Sequence, residues 1–364
     1  MTKPHPEEQV GQDGGRRAAP NPPGTVTDVR GTDVSKLLAP RRSEGYADIV
    51  DYIVRITHEI WEEGNLGHIY DRYLHNLTIH TSDGLTLERD KVIADSLKTF
   101  AAFPNLRLYA DDVIWGTDAR GGFHSSHRLT WSGRNTGYSV YGPPTGRAVV
   151  RQGIAHCYVR DDVIVEEWIC RDELALVQQL GFEPLALAKR MAERAVPRLP
   201  QTTGEAVRLR GQLPPERLEP APPSDPERFV ATMLHNVFNC RMVGTLAHYA
   251  APHLVAHTPG ARTTYGLGHH RAFILGLLAM FPDMALTIDH QCHVEDAGGY
   301  RVATRWFVNA THDGPGPLGD PSGKPVFFWG ISHHEIRGGK IEREWMLFDL
   351  FAVAKQLYAP AAPA

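Results

Sequence analysis

Cysteine is scarce in this chain: four in 364 residues, Cys157, Cys170, Cys240 and Cys292, with no Cys-x-x-Cys pair. A disulfide framework or a cysteine-rich zinc site is therefore not expected, and the thiols read as small buried apolar side chains. No uninterrupted apolar run approaches the roughly 20 residues that span a bilayer. The opening Met1-Thr2-Lys3-Pro4-His5-Pro6-Glu7-Glu8 lacks the apolar core of a secretory signal. The expectation is a cytoplasmic protein with no membrane partner. Lysine and arginine form no long run and the net charge is −4, so a nucleic-acid partner is not expected either.

Also missing are a nucleophile elbow and a phosphate-binding glycine loop. Gly266-Leu267-Gly268 reads as having neither the preceding strand nor the third glycine of a dinucleotide fingerprint. His269-His270, His290/His293 and His333-His334 lie close in sequence but show no His-Glu-x-x-His or facial-triad spacing. No metal and no organic cofactor are expected.

What the chain does contain is itself, twice. Gly146, Gly153, His156, Trp168 and Asp172 return as Gly323, Gly330, His333, Trp345 and Asp349, each 177 residues later. A period this long, seen only twice, marks a duplicated domain and not a solenoid, whose units run to roughly 20–50 residues. Residues 1–44, rich in Gly, Pro and Arg, read as a flexible tail. Domain 1 covers 45–183, a helix and Pro-rich linker 184–224, and domain 2 225–358.

Within each copy the order of segments is the same. An amphipathic helix (Ile49, Ile53, Ile56, Ile60 in one; Phe229, Met233, Val237 in the other) precedes a second helical stretch. A short apolar segment ending in His80 or His257 follows, then a third helix stopped at Phe103-Pro104 or Phe281-Pro282. Four β-rich segments close each copy, with Asp161-Asp162 and Gly338-Gly339 as hairpin turns. Helices first and an antiparallel sheet after them make an α+β domain.

The run Gly142-Pro143-Pro144-Thr145-Gly146-Arg147, the Gly153 strand, Asp161 to Trp168, then Asp172 and Gln179-Leu180-Gly181 resembles the SnoaL-like polyketide and ester cyclase branch of the NTF2-like superfamily. Copy two repeats it through Gly323-Lys324, Gly338 to Glu342, and Trp345 to Asp349. The resemblance implies two tandem cone-shaped α+β barrels with curved antiparallel sheets, an apolar pocket in each mouth, and an internal pseudo-dimer open to further homo-oligomerisation. It implies cofactor-free acid/base chemistry on a small-molecule substrate, with the Asp after the Trp as acid/base. Carried over, that residue is Asp172 or Asp349. Copy one has Asn135 where such sequences often carry a His before Gly; copy two keeps His312.

Strand alternation places Trp168 with Asp172, and Trp345 with Asp349, on one face. An indole beside a carboxyl would desolvate it and raise its pKa towards neutrality, where a general base works best. The competing reading is that Asp172 and Asp349 cap the helices that follow them. His80, His257, His156 and His333, paired across the repeat, are candidates to polarise a carbonyl or relay a proton, or else half-buried imidazoles with satisfied hydrogen bonds. Arg128 and Arg305 are candidate clamps for a substrate carboxylate if they face inward, and interface charges if not. Tyr138, Tyr141 and His312 complete the candidate substrate-binding set with Trp168 and Trp345. The expected activity is cyclisation, aldol or retro-aldol chemistry, or isomerisation of a small or medium apolar carbonyl compound. The alternatives are a non-catalytic binding or assembly module, and an epoxide-hydrolase-type hydrolase.

Overall fold

The computed structural model describes residues 45–193, 215–296 and 298–359. The tail 1–44 and most of the linker lie outside the described residues. Among the described residues no helix is long and apolar enough to cross a membrane.

The first repeat opens with helix α1 (Ile49–Thr57), started by Asp48, whose side chain accepts from the Asp51 N–H. One π-helical turn, His58–Glu62, continues it, and the second repeat has the same turn 177 residues on, at His235–Asn239. The first repeat then runs α2 (His68–Arg72), β1 (Tyr73–Thr81), β2 (Gly84–Leu87), α3 (Arg89–Ala102), β3 (Arg107–Thr117), β4 (Phe123–Arg134), β5 (Ala148–Arg160), β6 (Val163–Arg171) and α4 (Glu173–Leu180). Helix α5 (Pro184–Ala192) leads away and packs on the last helix of the chain. The second repeat comprises α6 (Pro226–Leu234), α7 (Leu246–Tyr249), β7 (Ala250–Thr258), β8 (Arg262–Tyr265), α8 (Gly266–Met280), β9 (Ala285–Asp296), β10 (Gly299–Thr311), β11 (Pro325–Arg337), β12 (Lys340–Phe348) and α9 (Leu350–Tyr358).

Each repeat builds one six-stranded sheet, in the orders β2-β1-β6-β5-β4-β3 and β8-β7-β12-β11-β10-β9. The architecture is the expected tandem α+β one, but the sheets curve without closing, and they are mixed. The long meander β3 to β6 is antiparallel, whereas β1 joins β6 in parallel, as β7 joins β12. The short strands β2 and β8 were not foreseen. Strand β8 runs straight into Gly266, so a strand does precede that glycine pair. The β5–β6 and β11–β12 hairpins turn where expected. Asp161 and Asp162 sit at φ 53° and 61°, Gly338 and Gly339 at 53° and 75°, as a two-residue hairpin of the right twist demands.

The two sheets pack against each other through their outer faces. Ile154 and Cys170 of the first repeat cluster with Trp329, Ile331 and Leu347 of the second, all buried. Because the strands are covered on both sides, alternate residues have two destinations: inward to the repeat's own helices, or outward to the other sheet. On the inner side of the second repeat, Trp306, Phe328 and Phe348 fill the hollow, with Trp306 donating from its indole to Ser332 Oγ at 2.9 Å. Gly330 is required there, since a Cβ would come within 2.5 Å of the Trp306 ring. Trp306→Ala is expected to destabilise the chain by about 3–5 kcal/mol, read as a lowered urea midpoint with an unchanged slope.

Candidate functional site

In the first repeat the same inner face is hollow. A cavity of about 360 Å³ lies between helices α1 and α3 and the concave side of β4, β5 and β6. The register explains why. Where the second repeat has Trp306, Phe328 and Phe348, the first has Leu129, Arg151 and Arg171, and small residues, Gly153 and Ala155, face the space.

Asp83, Asp95 and Lys98 line the cavity on the β2 and α3 side, and a buried set of ionisable groups lines its floor. Glu167 projects from β6 between Glu166 and Trp168, which face the other way, and it is buried. Burial pushes its carboxyl up to about 7, with the Arg171 guanidinium and the Tyr73 hydroxyl pulling back only part of the rise. Glu173, at the start of α4, behaves oppositely. Burial resists its ionisation too, but Arg151, Arg171 and the Tyr141 hydroxyl outweigh that and hold it below the usual carboxylate range. Arg151 Nη1 meets Glu173 Oε1 at 2.7 Å, the Tyr141 hydroxyl donates to the other oxygen, and the Arg151 guanidinium lies 4.8 Å from the Trp131 ring centre. His127, also on the wall, is pushed down to about 3 by burial and the neighbouring Arg128, so it is neutral at physiological pH. Burial keeps the phenols of Tyr73 and Tyr141 protonated. The site thus offers a carboxyl that titrates near neutrality, two guanidinium groups and two phenolic donors, against the apolar walls formed by Ile53, Ile56, Leu129 and Trp131.

The residues singled out by sequence are distributed differently. Tyr141 lines the cavity; Tyr138 stands exposed at its rim loop. Asp172 is buried, and burial raises its carboxyl pKa, as a desolvation argument requires. Its oxygens, however, accept from the backbone N–H groups of Ala175 (3.1 Å), Gly260 (3.0 Å) and Ala261 (2.8 Å). It caps α4 and clamps the β7–β8 turn of the other repeat. Asp349, likewise raised by burial, accepts from Phe351 and Ala352 at the start of α9. Neither aspartate lines the hollow, because each shares its strand face with Trp168 or Trp345, and that face points to the other sheet.

At that interface the arginines and tryptophans are exchanged between repeats. Arg305 lies 3.4 Å over the Trp168 ring and pairs with Asp289 at 2.5 Å. Its counterpart Arg128 lies 3.8 Å over Trp345 and approaches Asp111 at 3.6 Å. His80 stacks on Trp168 and meets Glu166 at 2.8 Å; His257 stacks on Trp345 and bonds Thr263. His156 and His333 are also between the sheets, beside His124 and Ser126 respectively. His312 is buried against Ser322, pinning its loop as Asn135 pins the equivalent loop through Ala102, Gly137 and Thr145.

Glu167, Glu173, Arg151 and Arg171 were not singled out. One signal was present: Glu167 returns as Glu344 at the repeat spacing, in the middle of a strand. In the second repeat that carboxylate is engaged by His270 at 3.1 Å and lies 3.6 Å from His334, and it is held well below its ordinary pKa although burial opposes this.

Two outcomes are expected. Glu167→Gln should match the parent in stability at pH 4, where folded and unfolded carboxyls are both protonated. As pH rises past the unfolded value of 4.5 towards the folded value of about 7, the parent loses stability that the Gln variant keeps, up to about 3 kcal/mol at pH 8 by chemical unfolding. Asp172→Ala should cost about 1–3 kcal/mol through the lost cap and clamp, measured the same way.

The profile of the SnoaL-like polyketide cyclase family matches residues 51–180 and again 228–357. Among solved structures, TsrD from Streptomyces laurentii is 21% identical over 36% of this chain and 94% of its own, with a TM-score of 0.33. A SnoaL-like polyketide cyclase from Agrobacterium tumefaciens is 22% identical over 35% of this chain and 95% of its own, with a TM-score of 0.30. No curated protein matches the chain. With the family profile met twice and two curved α+β sheets to carry it, the chain belongs to the SnoaL-like polyketide cyclase family, as a tandem pair.

Proposed function

We propose that the first repeat is a cofactor-free acid/base enzyme acting on a small or medium apolar carbonyl compound, and that Glu167 is its acid/base. The observation that carries this reading is a buried carboxyl, pushed up to about 7, facing a largely apolar pocket beside a guanidinium. A base with that affinity is partly ionised at neutral pH and still strong enough to take a proton alpha to a carbonyl. In this scheme Glu167 removes the α-proton, and the electron pair moves onto the carbonyl oxygen. Arg171 and the Tyr73 hydroxyl stabilise that developing enolate. The enolate carbon then attacks a second carbonyl of the same molecule, closing a ring, and the Glu167 acid returns the proton to the new alkoxide. In a substrate whose enolate is conjugated with a C=C bond, the Glu167 acid instead protonates the γ-carbon, shifting the double bond. Arg151, fixed by Glu173 and Trp131, orients a polar end of the substrate. Asp172 and Asp349 serve in this reading as caps, and His80, His257, His156, His333, Arg128, Arg305, Trp168 and Trp345 as the joint between repeats.

The second repeat, with its hollow filled by Trp306, Phe328 and Phe348, acts as the structural half of the pair. This reading joins the catalytic and scaffolding roles of the fold in one chain.

The test is loss of deuterium from the α-carbon of a panel of β-dicarbonyl esters, followed by NMR with the full chain. Exchange should rise with pH through an apparent pKa near 7 and fall by about 10²–10⁴-fold in Glu167→Gln. Exchange that survives in Glu167→Gln but is lost in a folded Asp172→Asn variant would move the chemistry to the capping aspartate.

A further inference from the structure

The interface between the sheets is duplicated in backbone but not in chemistry. On one side Asp112, opposite Arg128 in the β3–β4 ladder, pairs with Arg301, and its other oxygen lies 3.9 Å from His333 Nδ1. On the other side the position of Asp112 is taken by His290, opposite Arg305 in the β9–β10 ladder. There the counterpart of Arg301 is His124 and the counterpart of His333 is His156, as the β4–β5 and β10–β11 registers show. An ion pair has been replaced by three imidazoles. Their ring centres lie 3.9 Å (His124–His290), 5.0 Å (His156–His290) and 5.3 Å (His124–His156) apart.

We propose that His124, His156 and His290 form a binding site for a divalent first-row transition ion, zinc fitting best, which ties the first repeat to the second. One ring nitrogen from each histidine lies within 4.8 Å of the others. Tetrahedral bonds of about 2.0 Å place ligand nitrogens roughly 3.3 Å apart, so closure needs movements of about 1 Å. The set is all imidazole, which suits zinc and its neighbours in the first row and disfavours magnesium or calcium. His124 is already aimed: its Nε2 sits 2.8 Å from Asp118 Oδ2, which directs the Nδ1 lone pair to the cluster, the carboxylate–histidine–metal arrangement. That Nδ1 lies 3.3 Å from His156 Nε2. The Nδ1 atoms of His156 and His290 are buried with no hydrogen-bond partner among the described residues. Burial also keeps all three rings neutral, the form that ligates.

The opposing charge is Arg305, which disfavours a cation nearby. It is neutralised by Asp289 and seated on Trp168, while Asp118 offsets Arg120, so the surroundings carry no net positive charge. The site is separate from the cavity: His156 lies between Ala155 and Cys157, which point to the opposite face of β5.

The experiment uses the full chain stripped with a chelator and titrated with Co²⁺ alone, then Zn²⁺. One equivalent of Co²⁺ should give visible d–d absorption of a four- or five-coordinate ion, which Zn²⁺ abolishes, and saturating Zn²⁺ should raise Tm by about 3 °C or more. His290→Asn, the least buried of the three, should lose both signals, and His333→Asn, in the mirror half, should keep them. No absorption and no Tm shift in the parent, or an undiminished signal in His290→Asn, overturns the site. Should His290→Asn fail to fold, X-ray absorption on the zinc-loaded parent decides: three imidazole nitrogens at about 2.0 Å support the site, and fewer refute it.

Discussion

Everything in this molecule depends on strands that are covered on both sides. In β5 and β6, and in β11 and β12, the inner face packs on the repeat's own helices and the outer face on the other sheet. Alternation then gives each side chain one of two destinations, separated by the thickness of a sheet. Ala155 and Cys157 reach the hollow while His156 reaches the joint; Glu167 reaches the hollow while Trp168 reaches the joint. The joint in turn has to satisfy charges it buries. Arg128 and Arg305 each find an aspartate in their own sheet and an indole in the other, which is how a guanidinium remains tolerable away from water.

Duplication within one chain frees the two inner faces to diverge. A hollow lined with arginine and glutamate forgoes dispersion contacts and carries desolvation costs. The second repeat takes the other course at the same positions, replacing Leu129, Arg151 and Arg171 with Trp306, Phe328 and Phe348 and gaining a continuous aromatic core. Helix α5, with Leu187 and Ala188 buried against α9, fastens the first repeat to that core. Stability contributed by one half supports an open pocket in the other, a division that a symmetric dimer of identical chains does not allow.

The sequence made the duplication, the helix-then-strand order and the β5–β6 and β11–β12 turns legible, since each depends on local chemistry: a repeated spacing, a proline stop, an Asp-Asp or Gly-Gly pair. It did not reveal the parallel pairing of β1 with β6, which joins segments some 90 residues apart. Nor did it say which strand face is the inner one. Periodicity puts Trp168, Cys170 and Asp172 together, and the structure keeps them together. But with both faces buried the usual contrast of apolar and polar sides disappears, so the face carrying the indole could equally line a pocket or a joint. The histidine cluster was out of reach for a different reason: His124 and His156 come from one repeat and His290 from the other, so no sequence spacing encodes it.

The chain also contains its own comparison for the group on which the catalytic reading rests. Glu167 and Glu344 occupy the same place in the same strand of the same fold, and both are buried. Burial raises the pKa of each, so desolvation alone does not separate them. What differs is the company. Around Glu344, His270 and His334 more than offset the desolvation and the carboxyl stays ionised. Around Glu167, Arg171 and Tyr73 recover only part of it, and Arg171 is shared with Glu173. A carboxylate held well below its ordinary range stays ionised near neutral pH and is a poor proton acceptor there. A carboxyl whose desolvation is only partly offset, so that it titrates near 7, takes up and gives back a proton at little cost, and the repeat that has this carboxyl has a cavity beside it.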